Sequence, residues 1–404
     1  MATVILTIAY LFTPFGILLL AFAFVYAASN ADKYIFFYGL TFGVIAYCTV
    51  PLREIDITRY FQMIDSIRGM SLKEAYATFN DGLLVRAFVF WLVSKTGDNN
   101  ILPFLSMTTV YCSACYIIVD SARENKSTIK YLLLFQMMLL PFYNVYSNVR
   151  NVSAFALLAV ALYRDLVKHR INIGTILLYI LPCFIHMTGI VIVLLRLVLP
   201  LVRRHPIIGI SFTLFIPTAS ILLFQNVRSV PIPGAVGLIV NRAIWKAYTA
   251  TVGNSDYAQG VQEHGSFIMN RVIMLLFLFS LLTLIIMYIR RVKPASNSDY
   301  LLIGGLITSI ALIWDMLGIV KFWVMAYMVC LLSPPIISEI LLQRPTNKGI
   351  SQLLRNVMIS ACVLNLPLQV YRIIKNFDLS IFFEKLLFTN YIVILVKGIY
   401  GLLS

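Results

Sequence analysis

Two residues in this sequence carry reactive groups at the ends of hydrocarbon-length apolar segments. Arg150, followed by Asn151, opens the run from Val152 to Leu162. His186 lies in Pro182-Cys183-Phe184-Ile185-His186-Met187-Thr188-Gly189, which interrupts the next apolar segment. Ionisable groups at such depths are costly and are usually kept for a task. A guanidinium matches phosphate oxygens as a planar fork. An imidazole exchanges a proton near neutral pH. A third constellation is Asp56-Ile57-Thr58-Arg59-Tyr60, whose acid and base fall on one face if the segment is helical. Plainer roles compete in each case. Arg150 could snorkel to the interface, His186 could bond a carbonyl of a broken helix, and Asp56 could cap a helix or pair with Arg59.

The elements that must position these residues are transmembrane helices. The chain has 404 residues, of which 60% are hydrophobic and 12% charged, and its mean hydropathy is +0.88. No soluble domain of this length needs so much apolar surface. Apolar runs recur from Val4 to Leu403, which predicts an all-α, polytopic transmembrane bundle of about 12 to 14 spans forming a single membrane domain over 1–404. The run from Val4 to Ala28 has no basic segment before it and no small-residue cleavage pattern, so it reads as a retained helix. Cys112-x-x-Cys115 has redox or metal spacing. With no second Cys pair or His nearby, it reads as two small residues on one helical face. No disulfide, metal or cofactor is expected.

Basic clusters at 123–130, 164–170, 203–205, 290–293 and 344–348 should be cytoplasmic. The segment 173–199 has basic sequence at both ends, so it is expected to be a broken, re-entrant helix pair turning at Pro182 to Gly189, beside a wet cavity. One long tilted helix is the alternative. The polar loop 53–81 is placed externally, as is the long connection 225–267. In that topology Arg150, Arg228, Arg242, Lys246 and Arg271 are external cations, and no Asp or Glu occurs from Leu166 to Ser255. The net charge is +15. Such a cluster calls for an anionic partner, either a lipid-linked diphosphate or bulk anionic headgroups. No basic-aromatic pattern of a nucleic-acid module is present. Asp315, in a later apolar run, is expected to relay protons or to pair with Lys321. Ser333-Pro334-Pro335 is expected to kink or end a helix.

The polar segment with Asp56 and Tyr60, then Val149-Arg150-Asn151-Val152-x-x-Phe155-Ala156-Leu157-Leu158, then Cys183-Phe184-Ile185-His186-Met187-Thr188-Gly189-Ile190, resembles the exopolysaccharide and O-antigen repeat-unit polymerases of the Wzy and EpsG type. Those proteins often open one helix with an Arg-Gln-x-Ala-like run and break after the next at a Phe-His-x-Ser/Thr-like run. Here Asn151 replaces Gln, and Phe184 lies two residues before His186. A Glu-x-Gly-like opening of the third span is partly matched by Asn80-Asp81-Gly82-Leu83. The resemblance covers residues 34 to 200. It implies a membrane glycosyltransferase of the C superfold, acting on polyprenyl-diphosphate-linked oligosaccharides at the external face of the cytoplasmic membrane.

The chemistry that this implies has residues to carry it. A sugar hydroxyl attacks an anomeric carbon and polyprenyl diphosphate leaves. Arg150 would neutralise the leaving charge without a metal, and His186 or Asp56 would accept the hydroxyl proton. Arg53, Arg59, Tyr60, Arg242, Lys246 and Arg271 are the expected substrate-binding residues. Membrane lipids, and a chain-length regulator and flippase of the same pathway, are the expected partners. A lipid-linked oligosaccharide flippase and a polysaccharide ligase on the same carrier remain as alternatives. A flippase of this size would usually show two similar halves, and none is visible in the sequence.

Overall fold

The computed structural model describes residues 31–52, 55–79, 82–122, 139–205, 265–289, 298–316, 322–342 and 348–403, with isolated positions at 129, 132, 136, 211, 237 and 241. All the regular structure among these residues is helical, apart from a single antiparallel bridge between Pro51 and Phe377. The all-α expectation therefore holds. Four of the described helices are long and apolar enough to cross a membrane, and a fifth crossing is possible if a bent pair counts as one span. The protein is accordingly a multi-pass membrane protein. Apart from the isolated positions 211, 237 and 241, the runs expected at 4–28 and 207–224 lie outside the described residues, as does the connection expected at 225–267 as far as residue 264. Several other apolar runs form helices shorter than a full crossing.

The chain divides into two compact units. The first comprises residues 1–79, 84–157 and 369–404. Its central contact joins α1 (Ala31–Cys48) to α5 (Ile101–Ser121). Gly39 and Gly43, four residues apart on α1, permit the approach. A Cβ at Gly39 would stand 2.6 Å from the Cys112 Sγ and 2.7 Å from the Cys112 backbone nitrogen. Helices in lipid pack by close approach of backbones, because apolar burial alone gives no gain there. Cys112 and Cys115 thus serve packing, as their spacing suggests.

The polar stretch 53–81 is largely helical. It contains α2 (Asp56–Ser66) and α3 (Leu72–Phe79). Ile57, Tyr60 and Ile64 form the buried stripe of α2. In α3 the Ser71 N–H donates to Glu74 Oε2 at 2.7 Å and the Glu74 N–H to Ser71 Oγ at 3.3 Å, a capping box. Both helices pack on α4 (Leu84–Thr96), which also contacts α5 and α15 (Tyr391–Leu403).

The expected span from Ile381 to Leu403 is instead α14 (Leu379–Phe388) and α15, bent by 91°. Asn390 Oδ1 accepts the Val393 N–H at 2.9 Å and starts α15 afresh. The first unit is completed by α6 (Phe142–Ser147), by the first nine residues of α7 (Val149–Leu162), and by the end of α13 (Lys348–Asn376).

The second unit comprises residues 80–83 and 158–368. The end of α7 passes into a π-helical turn, Tyr163–Val167. Next come α8 (Ile173–Cys183) and α9 (Thr188–Arg204), separated at Phe184–Met187, where the sequence predicts a break. Then α10 (Gly265–Ile289), α11 (Ser298–Met316) and α12 (Phe322–Leu342) pack on one another. The expected kink or stop at Ser333-Pro334-Pro335 is not a stop, because α12 runs through both prolines. Pro334 has no N–H for the Cys330 carbonyl, and the Ser333 hydroxyl donates to that carbonyl at 2.8 Å in its place.

Candidate functional site

In the first unit, chain segments far apart in sequence are tied together by backbone. The Leu52 N–H donates to the Asn376 carbonyl at 2.8 Å and the Asp378 N–H to the Val50 carbonyl at 3.0 Å. Phe377, fixed by this pairing, packs edge-on against Phe142 and Tyr146 and tilted against Tyr143. The Tyr146 hydroxyl donates to the Thr49 carbonyl at 3.1 Å. The end of α13 and the short helix α6 are thereby locked together, and α6 in turn contacts α2.

Cations and aromatic faces gather at this junction. The Arg150 guanidinium carbon lies 4.4 Å from the centre of the Tyr60 ring. That of Arg372 lies 5.9 Å from the Tyr143 ring, and its Nη1 donates to Asn144 Oδ1 at 3.0 Å. An arginine over an aromatic face gains about 0.5–2 kcal/mol, more as it is desolvated. No carboxylate among the described residues comes within ion-pairing distance of Arg150, and its Nε is buried without a hydrogen-bond partner. Asn144 is 6% exposed, and its Nδ2 is likewise buried without a partner. Native proteins rarely leave buried donors unsatisfied, so two at one junction mark a place suited to acceptor oxygens.

One acid stands close by. Asp56, in the first turn of α2, is near enough to act electrostatically on Tyr143. Its ion pair with Arg59 is long, 3.8 Å, and exposed, so it holds the carboxylate only weakly. The structure thus brings Asp56, Arg59, Tyr60 and Arg150 into one unit, and adds Tyr143, Asn144 and Arg372.

The other expected site residues fare differently. His186 belongs to the second unit. Its Nδ1 accepts the Thr188 N–H at 3.4 Å, a long contact that helps start α9. Arg271, expected as an external cation without a carboxylate, is matched. Its Nε donates to Asp315 Oδ1 at 2.6 Å and its Nη2 to the Asp315 carbonyl at 3.3 Å. Asp315 therefore meets Arg271 from another helix, whereas its expected partner Lys321 lies outside the described residues. Arg53, Arg228, Arg242 and Lys246 also lie outside them.

Compared with protein-family models, curated proteins and solved structures, the chain matches none.

The function therefore rests on the chain's own residues. The sequence reading missed Arg372 and Asn144, which are 228 positions apart. A basic residue ending a long apolar run was the only signal for Arg372. It also missed a triad in the second unit, centred on the buried Asp165. Arg196 grips Asp165 through Nε at 2.6 Å and Nη2 at 3.1 Å, and the Tyr179 hydroxyl donates to the same carboxylate at 2.9 Å. Asp165 had been passed over as part of the basic break 164–170. Among the described residues no group of three or more His, Cys, Asp or Glu is placed to hold a metal ion.

Proposed function

We propose that this protein joins polyprenyl-diphosphate-linked saccharide repeat units at the external face of the cytoplasmic membrane. The observation that carries the reading is the Arg150 junction: a guanidinium over Tyr60 with a buried, unpartnered Nε, sharing its unit with Arg372, Asn144 and Asp56. The Arg150 fork, with no ion-paired carboxylate among the described residues, suits a diphosphate. The Tyr143 ring, only partly buried, suits the apolar face of a sugar.

In this mechanism a sugar hydroxyl of one lipid-linked unit attacks the anomeric carbon of another. The new C–O bond forms as the bond to the diphosphate breaks. The hydroxyl proton passes to the Asp56 carboxylate. The departing diphosphate takes the bonding pair, and Arg150 and Arg372 offset its growing charge. The proton is assigned to Asp56 because it shares a unit with Arg150, whereas the His186 Nδ1 accepts the Thr188 N–H at the start of α9.

Glycan sizing in cells tests this. Arg150→Ala and Arg372→Ala should each leave single repeats on the lipid carrier and remove long polymer, with the protein still present in membranes. Polymer of normal length from the double variant would overturn the proposal. Deletion of the gene separates neighbouring activities. Single repeats indicate a polymerase, trapped internal lipid-linked units a flippase, and full-length unattached polymer a ligase.

A further inference from the structure

A second cationic site lies wholly within the second unit. On α9, residues Arg196, Leu199, Pro200, Arg203 and Arg204 fall at i, i+3, i+4, i+7 and i+8, on one helical face. With Asp299 from the first turn of α11 they line an open hollow. The Arg203 Nη1 meets Asp299 Oδ2 at 3.4 Å, and the Arg203 side chain is 58% exposed. Arg196 spends Nε and Nη2 on Asp165, so the edge carrying Nη1 is not used there. Complementing the helix dipole accounts for Arg203 and Arg204 in the last turn of α9. It does not account for Arg196, two turns earlier, facing the same hollow.

Beside this face runs a lipid-like surface. Leu194, Leu197 and Leu201 are exposed, Leu197 at 68%, and their spacing puts them on the face of α9 next to Arg204. In a membrane protein such leucines meet acyl chains. The arrangement offers cations for a headgroup and a greasy strip for its tail. Asp299, at a helix N-terminus that favours anions, occupies the position that a phosphate oxygen would take beside Arg203.

We infer that the hollow between α9 and α11 binds a phosphate mono- or diester, supplied by an anionic phospholipid whose tail lies along Leu194, Leu197 and Leu201. Headgroup contacts come from Arg203, Arg204 and the outer edge of Arg196, and Asp299 is displaced on binding. This site shares no residue with the Arg150 junction and stands or falls apart from the polymerase reading.

Lipid retention by the purified, detergent-solubilised full-length protein tests the inference, with native mass spectrometry under titration by phosphatidylglycerol, phosphatidylcholine or inorganic phosphate. Each arginine near a headgroup contributes roughly 1 kcal/mol, so Arg203→Gln with Arg204→Gln should weaken phosphatidylglycerol binding by about 25-fold. Asp299→Asn should tighten it, since a competing carboxylate is gone, whereas a merely structural ion pair predicts no gain. Phosphatidylcholine should bind weakly. Millimolar inorganic phosphate that fails to displace phosphatidylglycerol identifies the lipid as the source, and phosphate that displaces it fully identifies a free anion and removes the lipid. Equal phosphatidylglycerol binding by the wild type and the double arginine variant, or weaker binding by Asp299→Asn, would overturn the inference.

Discussion

Arginines of the two units can be held in opposite ways, as Arg196 and Arg271 show against Arg150. In the second, Arg196 and Arg271 each reach a carboxylate that is itself almost fully buried, Asp165 at 6% and Asp315 at 7% exposure. In the first, Arg150 rests on a tyrosine ring with one donor unsatisfied. An arginine whose Nε closes on a buried carboxylate has that edge of its fork committed to holding the fold. An arginine held by a ring keeps its fork for something that arrives from outside. The contrast teaches where to look for chemistry in a chain with 32 Lys and Arg against 17 Asp and Glu: at the cations that the fold has left uncommitted.

The largest test of this contrast is to remove a carboxylate from the second unit. Asp165→Ala should strand the Arg196 charge and cost about 3–5 kcal/mol, seen as a lower midpoint in thermal unfolding of the solubilised protein. Replacing both partners with apolar residues, Asp165→Leu with Arg196→Met, should recover most of that loss. A single variant as stable as wild type would erase the distinction between the units.

Arg150→Met should do the reverse. Loss of the ring contact costs about 1 kcal/mol, while polymer length collapses. A large fall in stability with polymer retained would return Arg150 to the structural class.

The platform under the first unit can be tested in the same way. Gly39→Val drives a side chain into the Cys112 backbone and should cost about 1–3 kcal/mol, measured by protease resistance in membranes. His186→Ala should remove the contact that its Nδ1 makes at the start of α9, worth about 1 kcal/mol or less, and should leave polymer length unchanged. Lost polymer at normal protein abundance would bring the imidazole back into the chemistry.

The smallest effect concerns pH. Asp65, on the exposed side of α2, is partly buried, which raises its pKa. Hydrogen bonds from Asn99 and Arg68 outweigh this and leave it below the usual carboxylate value. A depressed folded pKa means that this group stabilises the fold above its unfolded pKa, about 4. The contribution is lost as pH falls through the lower folded value. Amide exchange around Arg68 and Asn99 should quicken over that acid range, and Asp65→Asn should abolish the pH dependence.

Much of this architecture was legible. Pro182 removes a donor within an apolar run, and α8 ends one residue later. Arg150 stands at the head of a run that became α7, a helix whose residues from Val152 to Leu162 are mostly buried. The helical spacing of Ile57, Tyr60 and Ile64 was equally readable, yet the many charges around it made a polar loop the natural expectation. Other features depend on long-range folding. Arg271 and Asp315 are 44 positions apart and Arg196 and Asp165 are 31 apart, and no local pattern says that they will meet. The turn at Thr389-Asn390 hides between two apolar runs, with neither Gly nor Pro to mark it. Pro334 misled in the other direction, because a neighbouring hydroxyl supplied the proton that the ring could not.

The right angle between α14 and α15 has a geometric consequence. At most one of two perpendicular rods can follow the bilayer normal. If α14 does, α15 lies sideways, and its 13 residues, roughly 20 Å of rod, add breadth without adding depth. A thicker or thinner bilayer then stretches one arm of the elbow and slides past the other.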